Sequence, residues 1–103
     1  MEYVAVYGFG SFFNGISKYR DIDLLILHQS TSYESCQFSI WCKYYFVNKL
    51  FSAHITILSR LEEYQFSFIE RSRAKILGFV FADTAQMDLD IINQKIIKFT
   101  SIN

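Results

Sequence analysis

The sequence has no proline among its 103 residues, four glycines and two cysteines. Without proline, and without Gly/Ser-rich, low-complexity or repeated stretches, it offers no linker at which a second domain would begin. Residues 1–103 therefore read as one domain, within the usual size range. Charge of either sign is not in excess: ten basic and ten acidic residues give a formal net charge of zero. That balance excludes the holding of nucleic acid by bulk electrostatics and leaves a small local phosphate site open. No apolar run approaches the roughly 18 residues of a membrane span. Met1-Glu2-Tyr3 is followed by neither the basic nor the apolar segment of a signal peptide, so no membrane association or export is expected. Cys36 and Cys42 lie six residues apart, which on a helix is roughly 9 Å of rise. A disulfide needs Cα atoms within about 7 Å. Free thiols and a reducing, cytoplasmic setting follow. Two cysteines at this spacing are also too few ligands for zinc.

Aromatic residues, by contrast, are abundant: eleven Phe and seven Tyr help bring the aromatic share to 18%. A chain this small buries only part of its surface, and large rings supply much apolar area per ordered residue. Phe12, Phe13, Trp41, Tyr44, Tyr45 and Phe46 have two readings. They crowd the core, or some of them cover a partner.

Short apolar or β-branched runs at Tyr3–Tyr7, Ile22–Leu27, Ile55–Leu58 and Ile76–Phe81 read as buried strands. The last is ambiguous, because Arg73–Phe81 also reads as a continuing helix. Three helix-start signals follow strands: Thr31-Ser32-Tyr33-Glu34, Ser59-Arg60-Leu61-Glu62 and the looser Asp83-Thr84-Ala85-Gln86. The first two fit the capping box, in which hydroxyl and carboxylate each satisfy a backbone N–H. Helical periodicity puts Cys36, Ile40, Tyr44, Val47 and Phe51 near one face of a helix over Tyr33–Leu50. Leu61, Tyr64 and Phe68 form a second stripe, and Leu89, Ile92, Ile96 and Phe99 a third. With a short helix over Ser11–Ile16, the order is β-α-β-α-β-α-β-α, an α/β (α+β) pattern.

The chemistry sits between Val6 and Leu27. Gly10-Ser11 closes the first strand, and Asp21-Ile22-Asp23 opens the second. Side chains alternate along a strand, so Asp21 and Asp23 share a face about 7 Å apart, suited to one divalent cation. Alone, such a D-x-D is more often a strand shedding charge at its solvated end. The Gly-Ser corner adds a place where backbone approaches a phosphate closely, next to a helix start that favours an anion. For corner and aspartates to meet one ligand, strands one and two must run antiparallel. For His54, at the start of strand three, to join them, strand three must run parallel to strand two. The helix over residues 31–51 supplies the crossover. A small mixed sheet flanked by helices is expected.

Val4-Ala5-Val6-Tyr7-Gly8-Phe9-Gly10-Ser11, a short spacer, and Asp21-Ile22-Asp23-Leu24-Leu25-Ile26-Leu27 together resemble the nucleotidyltransferase superfamily with the polymerase-β-like fold. The closest likeness is to its minimal, single-domain branch, over about residues 4–70. The Leu58-Ser59-Arg60-Leu61-Glu62-Glu63 run looks like the helix start after the third family strand. The resemblance implies transfer of a nucleoside monophosphate from a nucleoside triphosphate, ATP above all, to a hydroxyl acceptor. Asp21 and Asp23 would be Mg²⁺ ligands, and Gly10 and Ser11 would hold the triphosphate. In the family two Mg²⁺ ions act together. Relatives in this branch often belong to toxin–antitoxin pairs, in which the transferase is the antitoxin and modifies a helical partner protein. A chain this short has no substrate domain of its own, so a partner or a self-dimer would present the acceptor. The larger aminoglycoside-type relatives carry an extra helical domain that this chain lacks.

The sequence departs from the family in two places. The third carboxylate is replaced by His54, and imidazole is a poor ligand for Mg²⁺. His54 could serve as general base on the acceptor hydroxyl, the site could use Mn²⁺, or the chain could be a catalytically degenerate binding or partner subunit. Equally, His54 could only hydrogen-bond at a strand start. Arg20 stands where many relatives have serine; with Lys18 it could contact the triphosphate or simply be solvated. Three other features read as structural: His28 at the far end of strand two, Glu62 and Glu63 at a helix start, and Asp88-Leu89-Asp90, whose acids face different ways on a helix.

Overall fold

The β-branched and apolar runs form four strands. The structure, a computed structural model, describes residues 1–15 and 21–102, with side chains through Phe99. Strands β1 (Tyr3–Phe9), β2 (Ile22–His28), β3 (Ala53–Ser59) and β4 (Lys75–Phe81) make one sheet in the order β3-β2-β1-β4. β1 pairs antiparallel with both β2 and β4, and β2 pairs parallel with β3. The mixed sheet and the relative directions of the first three strands are those expected. The strand reading of Arg73–Phe81 also holds, because Lys75–Phe81 completes the ladder against β1.

The helices are α1 (Gly10–Phe13), α2 (Tyr33–Lys49), α3 (Arg60–Phe66), α4 (Phe68–Ser72) and α5 (Ala85–Ile102), with a 3-10 turn over Ala82–Thr84. Along β1 and β2, Val4, Val6, Ile22, Leu24 and Ile26 point to one face of the sheet. There they join Phe12 and Phe13 of α1, Cys42 and Phe46 of α2, and Leu89, Ile92 and Ile96 of α5 in a single core. The expected α5 stripe is thus the buried one.

Four local expectations are corrected. First, α1 covers Gly10–Phe13; of the expected Ser11–Ile16 helix, Asn14 and Gly15 are not helical and Ile16 lies outside the described residues. The Asn14 amide N–H bonds the Gly10 and Ser11 carbonyls, its side chain donates to Gly10 O at 2.8 Å, and Gly15 turns left-handed at φ +76°, ending the helix. Second, the α2 cap is Ser32, which accepts from the Ser35 N–H at 3.2 Å; the hydroxyl one residue later than Thr31 reaches the orphan donor. Third, α2 buries Ser35, Ser39, Cys42 and Phe46, while Ile40, Tyr44, Val47 and Phe51 are exposed. The face turned to the sheet instead carries Phe46, with Phe38, Tyr45 and Leu50 packed beside it against the core. Fourth, the Leu61-Tyr64-Phe68 stripe is not one helix face. Ser67 adopts φ +49° and breaks the segment into α3 and α4, leaving Leu61 and Tyr64 exposed.

The second capping box forms as expected. Ser59 Oγ accepts from the Glu62 N–H at 3.2 Å, and Glu62 Oε1 accepts from the Ser59 N–H at 2.9 Å. Hydrogen bonding to its carboxylate from the Ser59 backbone N–H, and next from the Ser59 side chain, holds the Glu62 carboxyl below its ordinary range. At the start of α5 the acceptor is Asp88 and not Asp83. Asp88 takes the Phe81 N–H at 3.0 Å and the Thr84 hydroxyl at 2.6 Å, and Asp90 takes the Tyr45 hydroxyl. That bond adds to desolvation in raising the Tyr45 phenol above its ordinary range.

His28 is buried, with its Nδ1 2.9 Å from Ser35 Oγ, a structural role at the end of β2. Both cysteines are free thiols; burial pushes Cys42 up to about 12, so it behaves as a small apolar core residue. Of the six singled-out aromatics, Phe12, Phe13 and Phe46 are buried, and Trp41 and Tyr44 are exposed. Among the described residues no helix is long and apolar enough to cross a membrane.

Candidate functional site

The strand directions determine what meets at one end of the sheet. β1 runs up to this end and turns there into α1. β2 starts from it, and β3, parallel to β2, starts beside it. In the ladder Phe9 pairs with Asp23 on one side, and His54 pairs with Asp23 on the other. The central carboxylate therefore lies between the glycine corner and the imidazole.

Gly10 makes the corner possible in two ways. Its φ of +79° is a left-handed conformation that costs a residue with a side chain. A Cβ at this position would also overlap Asp23 Oδ2 and lie 3.2 Å from Asp23 Cγ. The Asp23 carboxylate is thus laid against the backbone of the turn, and a side chain at position 10 would have to displace it. On the other side His54 Nδ1 stands 3.4 Å from Asp23 Oδ1, with Asp23 22% and His54 73% exposed. Among the described residues the site is an open sheet end.

Asp21 immediately precedes β2 and is exposed. It is steadied by a neighbour that the sequence did not single out: Ser52 Oγ donates to Asp21 Oδ1 at 2.9 Å, and the Ser52 carbonyl accepts the Ile22 N–H at 3.1 Å. Ser52 has φ +60°, so the chain turns sharply into β3 there. The signal available in the sequence was the Ser-Ala-His run before the third strand; its pairing with Asp21 depends on the parallel register. Ser11 follows Gly10 in the opening turn of α1, where helix N–H groups point outward along the axis. With four residues, α1 contributes only a small dipole. Arg20 and Lys18 lie outside the described residues.

The structure thus brings Gly10, Asp23 and His54 into one contact set, with Asp21 and Ser52 at its edge. Among the described residues no group of three or more His, Cys, Asp or Glu side chains is placed to hold a metal ion. Mg²⁺ is commonly held by one or two carboxylates together with substrate phosphates. A site on Asp21 and Asp23 would have to be of that smaller kind, completed by the ligand's own oxygens. No protein-family model, curated protein or solved structure matches this chain.

Proposed function

We propose that this chain is a nucleotidyltransferase-type domain that takes a nucleoside triphosphate, ATP most simply, at the Gly10–Asp23 corner. The observation that carries the reading is the seating of the Asp23 carboxylate against Gly10, which joins a phosphate-approachable turn to a cation-binding acid. Asp21 and Asp23 would hold Mg²⁺, or Mn²⁺, jointly with the triphosphate; the ion would neutralise charge on the phosphates and on the departing pyrophosphate. The backbone N–H groups at Gly10 and Ser11 and the Ser11 hydroxyl would donate to the phosphate oxygens. The acceptor oxygen forms a bond to the α-phosphorus as the bond to the β-phosphate oxygen breaks. The acceptor proton passes to the exposed imidazole of His54, which stands beside Asp23. An open site of this kind suits an acceptor hydroxyl presented by another macromolecule, such as a tyrosine of a helical partner protein in an antitoxin-type pair, or a second copy of the chain. A cytoplasmic setting is consistent with the two free thiols.

A second reading is a degenerate domain that binds nucleotide without transferring it. The observation favouring it is His54 at the ladder position facing Asp23, where a third acid would complete the metal site. One experiment separates the two. The purified chain is given α-labelled ATP with Mg²⁺ or Mn²⁺, alone and with co-purified protein; label transfer and pyrophosphate release are measured alongside ATP binding. Transfer is expected to fall at least about a hundredfold in Asp21→Asn/Asp23→Asn and in His54→Ala. Binding lost in Asp23→Asn, without transfer under any condition, selects the second reading. Transfer that survives removal of both aspartates overturns the first, and absence of both binding and transfer overturns both.

A further inference from the structure

A separate groove of about 370 Å³ runs between the start of β4 and the last turns of α5. Its apolar lining is Phe13, Ile76, Leu77 and Phe99. Phe13 and Phe99 meet edge to face, with centroids 5.1 Å apart, so this lining is packed. Among the described residues, the charged side chains lining the groove are Lys75, Lys95 and Lys98. In a chain with ten basic and ten acidic residues, three cations and no carboxylate among the described residues lining one groove form a local asymmetry.

One ammonium is held in place. Lys95 Nζ donates to the Leu77 carbonyl at 2.8 Å. Leu77 is the residue left between Gly78, paired with Val6, and Ile76, paired with Tyr7, where the ladder shifts register. Such a bulge turns a carbonyl out of regular pairing, and here the carbonyl anchors a cation at the apolar lining. A groove of this volume, mostly apolar with a few placed polar groups, has the form of a small-molecule site.

We infer that this groove binds a small amphipathic carboxylate, a medium-chain fatty acid in its simplest form. The alkyl body covers Phe13, Ile76 and Phe99, and the carboxylate is met by the lysine ammonium groups. A neutral apolar molecule would gain the first interaction and not the second; a cationic one would be repelled. The inference is independent of the transferase reading, since none of the lining residues belongs to the Gly10–Asp23 site.

The test titrates the full chain with decanoate at monomeric concentrations and low salt, followed by amide NMR shifts and calorimetry. Decanol and decyltrimethylammonium serve as the neutral and cationic analogues. Saturable binding is expected, with shifts concentrated at residues 75–77 and 95–99. Decanol should bind several-fold more weakly and the cation not at all. Lys75→Gln/Lys98→Gln should weaken decanoate about tenfold and leave decanol unchanged, because each exposed ion pair contributes modestly. Both lysines are exposed, so the fold should persist; the comparison of decanoate with decanol on the unaltered chain stands without the variant. Equal binding of decanoate and decanol, shifts centred elsewhere, or no saturable binding overturns the proposal. So does association with anionic vesicles alone, which would assign the lysines to a surface.

Discussion

Gly10 carries two constraints that most glycines do not combine. Its backbone is left-handed, and its missing side chain is the space in which the Asp23 carboxylate sits. Gly15 has nearly the same backbone, φ +76°, with nothing within 4 Å of a Cβ among the described residues. The pair separates the two effects. Gly15→Ala should lose only the conformational term, about 1 kcal/mol. Gly10→Ala should lose that and also displace Asp23, for a total of about 2–3 kcal/mol, together with any nucleotide binding. Urea unfolding of both variants measures the difference. Equal costs would mean that the carboxylate moves aside freely and that the corner is not a built contact.

At the scale of the elements, α2 shows packing overriding periodicity. Its apolar residues at 40, 44 and 47 are solvent-facing, and its sheet-facing stripe is largely serine and cysteine. Ser39 is 1% exposed and satisfies its own hydroxyl by donating to the Cys36 carbonyl at 2.7 Å. At this depth position 39 has little room for a larger side chain. Ser39→Leu should therefore destabilise the protein by about 1–3 kcal/mol through overpacking, although it makes the helix more apolar. Tyr44→Ser, on the exposed face, should change stability by no more than about 0.5 kcal/mol. Thermal unfolding of the two variants decides which face is buried; the reverse ranking would return the core to the Ile40-Tyr44-Val47 stripe.

For the whole molecule, the consequence of topology is the sheet end at which β1 finishes and β2 and β3 begin. The parallel β2–β3 register sets Asp23 opposite His54, a relation between residues 31 apart in sequence. Replacing the imidazole by a carboxylate tests it. Two carboxylates at facing ladder positions repel, so His54→Asp without divalent cations should lower stability by about 0.5–1 kcal/mol. Millimolar Mg²⁺ should reverse the loss, and its apparent affinity should rise about tenfold over the unaltered chain. Thermal unfolding with Mg²⁺ against chelator measures both. An unaltered Mg²⁺ response would show that the two positions do not address one ion, which would weaken the metal-dependent reading.

The sequence by itself determined most of the strands and the starts of the longer helices, because apolar runs, β-branching and the Ser59–Glu62 capping box act between near neighbours; the last strand was settled by its pairing with β1. It also supplied the logic of antiparallel β1–β2 and parallel β2–β3, since a glycine corner and a D-x-D can meet only at one sheet end. That Gly10 and Asp23 would meet at one sheet end was legible from type and spacing, and His54 beside them from the family resemblance. The buried face of α2, the break at Ser67, the Ser52–Asp21 bond and the lysine-lined groove were decided only by tertiary structure. Each depends on distance between residues remote in sequence, where steric fit and desolvation act on pairs that no local pattern brings together. Periodicity records which residues can be buried; the partner surface selects which of them are.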